Sequence, residues 1–129
     1  MSPSEPCPCG SSKAYRDCCG RYHSGAVPAD AAALMRSRYA AYVRANAEYL
    51  LASWHPATRP PSLDAQSLEG VRWLGLSIKR HQIIDNDHAL VEFVARSRVG
   101  GGSAQRLHEI SRFVREDGRW YYVDGEFPE

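Results

Sequence analysis

Cys7, Cys9, Cys18 and Cys19 fall within thirteen residues of one another, and no cysteine follows Cys19 in a chain of 129. So uneven a distribution calls for a local explanation. A C-x-C pair and a C-C pair separated by eight residues can converge on one tetrahedral ion if the chain between them reverses. Gly10-Ser11-Ser12 suits that reversal, because glycine tolerates positive φ and the amides of such a turn can hydrogen-bond thiolate sulfur. Four thiolates on Zn²⁺ leave two negative charges, and Lys13, Arg16 and Arg21 stand close enough in sequence to offset them. Two alternatives remain open. A disulfide framework would need an oxidising compartment and a strained ring across Cys18-Cys19, and an iron–sulfur cluster could use the same four ligands. The reading adopted is one zinc ion on Cys7, Cys9, Cys18 and Cys19.

Cys7-Pro8-Cys9-Gly10-Ser11-Ser12-Lys13 followed by Tyr15-Arg16-Asp17-Cys18-Cys19-Gly20-Arg21 resembles the SEC-C zinc motif at the C-terminus of the SecA translocation ATPase. The fourth ligand in that family is His or Cys, so the resemblance implies Cys19 here, with His23 as the substitute; otherwise His23 is a surface or packing residue. The SecA tail binds an export chaperone and contacts ribosomes. By resemblance, a chaperone or ribosome is therefore the expected partner for a face formed by Lys13, Tyr15, Arg16, Arg21 and Tyr22. The competing expectation is that the knuckle merely caps its neighbour.

These ligands and any further site must be positioned by a modest scaffold. With 43% hydrophobic residues, the chain can bury one core plus a metal-stapled appendage, expected as residues 1–24 and 28–129, joined by a small-residue linker over 24–28. Sixteen basic and fifteen acidic side chains give a net charge of +1 without long runs of either sign, so nothing in the composition points to nucleic acid. No stretch approaches the roughly 20 apolar residues of a membrane span, and the N-terminus lacks a signal-peptide pattern, so a cytoplasmic location is expected. Asp30 caps an amphipathic helix carrying Leu34, Met35, Arg38, Tyr39, Tyr42 and Val43 to about Arg44. Asn46 starts a second helix reaching Trp54, and Pro56, Pro60 and Pro61 stop it. A weak helical turn is expected around Leu63 to Glu69. From Leu74 onward the apolar residues alternate, with turn chemistry at Asp85-Asn86-Asp87, Gly100-Gly101-Gly102 and Asp117-Gly118, which predicts an antiparallel meander. The fold class is α+β, with helices lying across a curved sheet and closing a cone around a cavity.

Leu34-Met35-Arg36-Ser37-Arg38-Tyr39, Trp54-His55-Pro56, Leu107-His108-Glu109, Ser111-Arg112-Phe113 and Gly118-Arg119-Trp120-Tyr121-Tyr122-Val123-Asp124-Gly125 are similar to the YchJ-like bacterial proteins. That resemblance implies a SEC-C motif joined to an NTF2-like domain, and it implies no activity, because the fold hosts both enzymes and binding proteins. The candidate cavity is Tyr39, Trp54, Leu107, Glu109, Ser111 and Phe113, with Tyr42 and Trp120 in its apolar wall. Arg36, Arg38 or Arg112 at its rim could admit an acidic group. Such a pocket fits a small, partly apolar ligand. Glu109 is the candidate acid or base of a cofactor-independent isomerase or cyclase, with Asp124 as the other choice and His55 or His108 nearby. Against this, Arg36, Arg38, Arg112 or Arg119 could neutralise those carboxylates in structural ion pairs. The triple glycine opens no helix, so it is a hairpin loop and not a phosphate cradle, and the scattered histidines suggest no second metal. The aromatic stripe of Tyr39, Tyr42, Tyr49 and Trp54 reads as core packing.

Overall fold

The computed structural model describes residues 5–63 and 68–128. A 3₁₀ turn at Tyr15–Asp17 leads into α1 (Cys19–His23), followed by α2 (Ala31–Val43), α3 (Ala47–Ala52), β1 (Val71–Asp85), β2 (His88–Val99), β3 (Gln105–Glu116) and β4 (Arg119–Glu126). Asp30 caps α2 by accepting from the Ala33 amide at 2.7 Å, and Asn46 caps α3 by accepting from Tyr49 at 3.1 Å. The turn expected around Leu63 to Glu69 falls largely on 64–67, outside the described residues.

The four strands form an antiparallel meander in the order β1-β2-β3-β4. Asp117 and Gly118 both have positive φ, 52° and 78°, which is the two-residue turn whose twist suits an antiparallel hairpin. At the β1–β2 tip, Asp85 Oδ1 accepts from the Asp87 amide at 2.8 Å. Register shifts at Trp73/Gly75, Ile78/Arg80 and Ile83/Asp85 interrupt β1, and each such bulge adds bend and twist. One face carries Ala89, Val91, Phe93, Ala95, Phe113 and Trp120, packed with Ala31, Leu34, Met35 and Tyr39 of α2.

Two helical expectations change. The second helix stops at Ala52 because the chain through Trp54 bridges to β4: Tyr122 N–H donates to Ser53 O at 2.9 Å and His55 N–H to Tyr122 O at 2.8 Å. More consequentially, α2 has no solvent stripe of the expected amphipathic kind. Ser37, Arg38, Ala40 and Ala41 are buried along with Leu34, Met35 and Tyr39, because the sheet covers one side of the helix and the cysteine cluster covers another, where Ala40 packs among the four thiols. Among the described residues no helix is long and apolar enough to cross a membrane.

Candidate functional site

The cysteine region is built from short backbone ties. Tyr15 N–H donates to Glu5 O at 2.7 Å and Cys7 N–H to Lys13 O at 2.9 Å, closing a loop in which Gly10 and Ser12 take φ of 84° and 72°. The second pair follows at once: Cys18 ends the 3₁₀ turn and Cys19 opens α1. Gly20 lets these two elements touch, since a Cβ there would stand 2.7 Å from the carbonyl oxygen of Tyr15.

All four sulfurs lie within 4.8 Å of one another and all four residues are buried. Cys9 and Cys18 are 3.6 Å apart, and Ser11 Oγ donates to Cys18 Sγ at 3.1 Å. Zn–S bonds of about 2.3 Å imply S···S edges of about 3.8 Å in a tetrahedron, so the donor set has the right size for such an ion. Its protonation chemistry agrees. A hydrogen bond from Cys19 is the main cause that brings Cys9 down to about 4. Cys19 is pushed far up by that same bond and then by burial, and Cys7 is raised chiefly by burial. Crowded together without a cation, the four cannot all be thiolates; a bound divalent ion removes the conflict.

His23 stands apart from this set. Its Nε2 donates to Ser37 O at 2.8 Å, its Nδ1 accepts from the Tyr15 hydroxyl, and its ring lies 4.6 Å from that of Tyr49. Burial lowers its pKa, consistent with a neutral imidazole used as a strut between α1, α2 and α3. Arg36, expected at a cavity rim, instead donates to Cys9 O at 3.2 Å, and Arg21 donates to Cys18 O at 3.3 Å. Lys13, Arg16 and Arg21 are exposed and Tyr22 is half-exposed. Tyr15 is not on that face: it turns inward against His23 and beneath the Arg44 guanidinium.

Behind α2 lies a cavity of about 180 Å³ lined by residues of α2 and all four strands. Tyr39, Leu107, Glu109 and Ser111 line it, as does Tyr42. Trp54 and Phe113 do not. Phe113 is only 2% exposed, sealed in the core and edge-on to Tyr122, while Trp54 packs against the Arg38 guanidinium and edge-on to Tyr122. Trp120 belongs to the core and to a separate groove beside Tyr49 and Arg119.

The cavity's polar end is Glu109, whose Oε2 accepts from Ser111 Oγ at 2.6 Å and from the Tyr122 hydroxyl at 3.0 Å. Burial first, and the neighbouring carboxylate second, hold the Tyr122 phenol well above its ordinary range, so it stays a donor. The other carboxylate and the histidines face elsewhere. Strand residues alternate between faces, which puts Arg112, Asp124, Glu92 and His108 on the side of the sheet away from Glu109. There Arg112 donates to Asp124 and Glu126 and holds Asp124 below the usual carboxylate range, and His108 meets Glu92 at 2.7 Å. Arg112 is therefore not a rim residue. His55 pairs with Glu116 at 2.8 Å.

Arg38 is deeper than a rim residue. It is 3% exposed, with Nη1 donating to Leu50 O at 2.8 Å and Ser53 Oγ at 2.6 Å and its guanidinium over the rings of Trp54 and Tyr122. Sequence reasoning missed Tyr122 and Trp73 as lining residues. Tyr122 shares the inward face of β4 with Trp120, a period-two signal; Trp73 sits beside the first β1 bulge, where alternation fails.

Among known proteins, a family model described as "YchJ, middle NTF2-like domain" matches residues 30–125, and a SEC-C motif model matches residues 4–21. A UPF0225 protein of Xanthomonas campestris pv. campestris is 56% identical over 123 residues, covering 95% of each chain. One from Bordetella pertussis is 56% identical over 130 residues, covering 97% of this chain and 96% of its own. The solution structure of a SEC-C motif-containing protein from Rhodopseudomonas palustris is similar with a TM-score of 0.84 at 37% identity, over 97% of this chain and 100% of that one. A crystal structure of a SEC-C motif-containing protein from Psychrobacter arcticus has a TM-score of 0.80 at 32% identity, over 100% and 86%.

Proposed function

This chain belongs to the UPF0225 family of YchJ-type proteins, and from that premise we propose that it is a cytoplasmic, zinc-stapled binding protein whose NTF2-like domain closes a cone around a small, partly apolar ligand. Zn²⁺ on Cys7, Cys9, Cys18 and Cys19 would supply the positive charge that allows four thiolates to share one site. The observation that carries the ligand reading is the cavity itself, about 180 Å³ with aromatic walls and two buried charged side chains, Arg38 and Glu109. A space meant only to be filled by packing would be expected to be smaller and free of charge.

Native mass spectrometry of the chain, gently purified under reducing conditions, tests this together with metal analysis. The expected result is one zinc per chain and a small molecule released on denaturation. Leu107→Trp, which fills the cavity, should abolish the small molecule while leaving the zinc. A native chain that retains no ligand and also binds no small aromatic probe would sink the reading.

A second reading is favoured by Glu109 specifically. Its carboxylate is buried in the cavity and held by two hydroxyls on Oε2 alone, an arrangement suited to proton transfer in a cofactor-independent isomerase or cyclase. Deuterium exchange into a bound ligand, abolished by Glu109→Gln with binding retained, would distinguish it. The exposed Lys13, Arg16 and Arg21 with the half-exposed Tyr22 would form a docking face compatible with a protein partner, a chaperone or ribosome by likeness to the SecA tail.

A further inference from the structure

Two side chains of opposite charge line one cavity without pairing. Arg38 and Glu109 are 3% and 7% exposed, and no ion pair within 4.0 Å joins either to any charged group among the described residues. Each has bonding capacity to spare. Arg38 uses only Nη1, on Leu50 O and Ser53 Oγ, which leaves Nε and Nη2 without hydrogen-bond partners among the described residues. Glu109 uses only Oε2. A third unmet group is the indole N–H of Trp73, which lines the same cavity and is buried with no partner. Buried donors and acceptors left unpaired are costly, and buried charges more so.

The unmet groups define a complement. An apolar occupant would displace water from Arg38 and Glu109, return nothing to them, and leave the Trp73 indole N–H unmet. A polyanion would meet the Glu109 carboxylate, and a simple cation would meet the Arg38 guanidinium. A molecule with an acceptor anion at one end and a hydrogen-bond donor at the other satisfies all three. The volume, about 180 Å³, lies below the ~300 Å³ at which drug-sized sites begin and suits on the order of ten close-packed non-hydrogen atoms.

We propose that the cavity takes a small bipolar organic acid, its carboxylate on the free nitrogens of Arg38 and the indole N–H of Trp73, its hydroxyl or ammonium on Oε1 of Glu109, and an apolar body between. The proposal rests on reading the cavity as a small-ligand site and adds the class of ligand. Burial is the largest influence on Arg38 and lowers its pKa, and the unpaired Glu109 carboxylate offsets it only weakly. Met35, Tyr39, Phe93 and Leu107 supply the apolar walls for the body.

The test uses the wild-type, zinc-loaded chain and four probes of similar size: 4-hydroxyphenylacetate, phenylacetate, tyramine and 4-ethylphenol. Binding is followed by calorimetry and by the indole and tyrosine-ring signals in NMR. 4-Hydroxyphenylacetate should bind best, at least about tenfold tighter than tyramine or 4-ethylphenol, since one charge-assisted hydrogen bond accounts for that much. Its advantage over phenylacetate should vanish in Glu109→Gln, and Arg38→Lys should weaken both acids by about 10- to 100-fold. The ranking on the wild-type chain stands even if a variant fails to fold. If 4-ethylphenol or tyramine binds as tightly as the hydroxy acid, the ligand class is wrong and the cavity reading survives. If no probe moves the signals of Tyr39 and Trp73, both fall.

Discussion

Gly125 is the sharpest place to probe the polar end of the cavity. A Cβ built there would lie 2.7 Å from Cδ and 2.8 Å from Cγ of Glu109, where carbon atoms normally keep about 3.5–4.0 Å. In effect the Glu109 side chain occupies the space that any residue but glycine would need at position 125, in the register where Ser111 faces Gly125. Gly125→Ala should therefore expel the carboxylate and break its bonds from Ser111 and Tyr122. Hydrogen bonds to a charged group contribute about 1.5–3 kcal/mol each, and a displaced rotamer costs about 0.5–1.5 kcal/mol. With partial relaxation the loss should be about 2–4 kcal/mol, a large share of the 5–15 kcal/mol typical of a domain. Urea denaturation of the zinc-loaded chain, read by tryptophan fluorescence, measures it. The control is a double-mutant cycle: with Glu109→Ala present the clash partner is gone, and Gly125→Ala should cost less than about 0.5 kcal/mol. Equal losses in both backgrounds would refute the placement of Glu109 against Gly125.

Cys18→Ser should reduce bound metal from one ion per chain to background by elemental analysis, because three thiolates and a hydroxyl lose both charge and geometry. Gly20→Ala should cost about 1–3 kcal/mol and weaken metal retention against a chelator, since the new Cβ meets the Tyr15 carbonyl oxygen first and the Tyr15 ring next. Asp124, held low by the Arg112 hydrogen bond, should titrate below the ordinary aspartate value in carboxyl-carbon NMR and move up towards it in Arg112→Gln. The sign follows: a depressed carboxylate pKa contributes stability present above the unfolded value and lost as pH falls through the folded one. An Asp124 titration unmoved by Arg112→Gln would refute the pairing.

Much of the fold is legible in the residues because local chemistry agrees with the outcome. Asp30 and Asn46 are caps, Asp117-Gly118 is a hairpin turn, and Ala89, Val91, Phe93 and Ala95 share a face. The cysteine cluster is legible for the same reason, since its ligands are near neighbours and need only one chain reversal. The cavity is less so. Leu107, Glu109 and Ser111 follow from alternation along one strand, but Arg38 as a buried lining residue runs against the usual exposure of arginine and depends on acceptors at Leu50 and Ser53, twelve and fifteen residues away. Trp73 is hidden by a bulge that breaks the period. The spacing of Trp54 and Phe113 suits the lining equally well; what spacing does not report is that both rings pack edge-on against Tyr122.

The least legible feature is that α2 is a shared wall. On one side Arg36 donates to Cys9 O, Ser37 O accepts from His23, and Ala40 packs among the thiols. On the other side Met35, Arg38, Tyr39 and Tyr42 line the cavity. The two sets interleave along about two turns, so a helix cannot shift for one without shifting for the other. Small residues at Ser37, Ala40 and Ala41 permit the close approach of the metal knuckle, whereas bulky ones face the sheet. A segment of about twenty residues has too little apolar surface to fold alone, and its metal-binding free energy is folding free energy. Part of any metal-binding energy would thereby go to fixing the helix that positions Arg38, which would account for a metal knuckle beside a cavity with which it shares no residue.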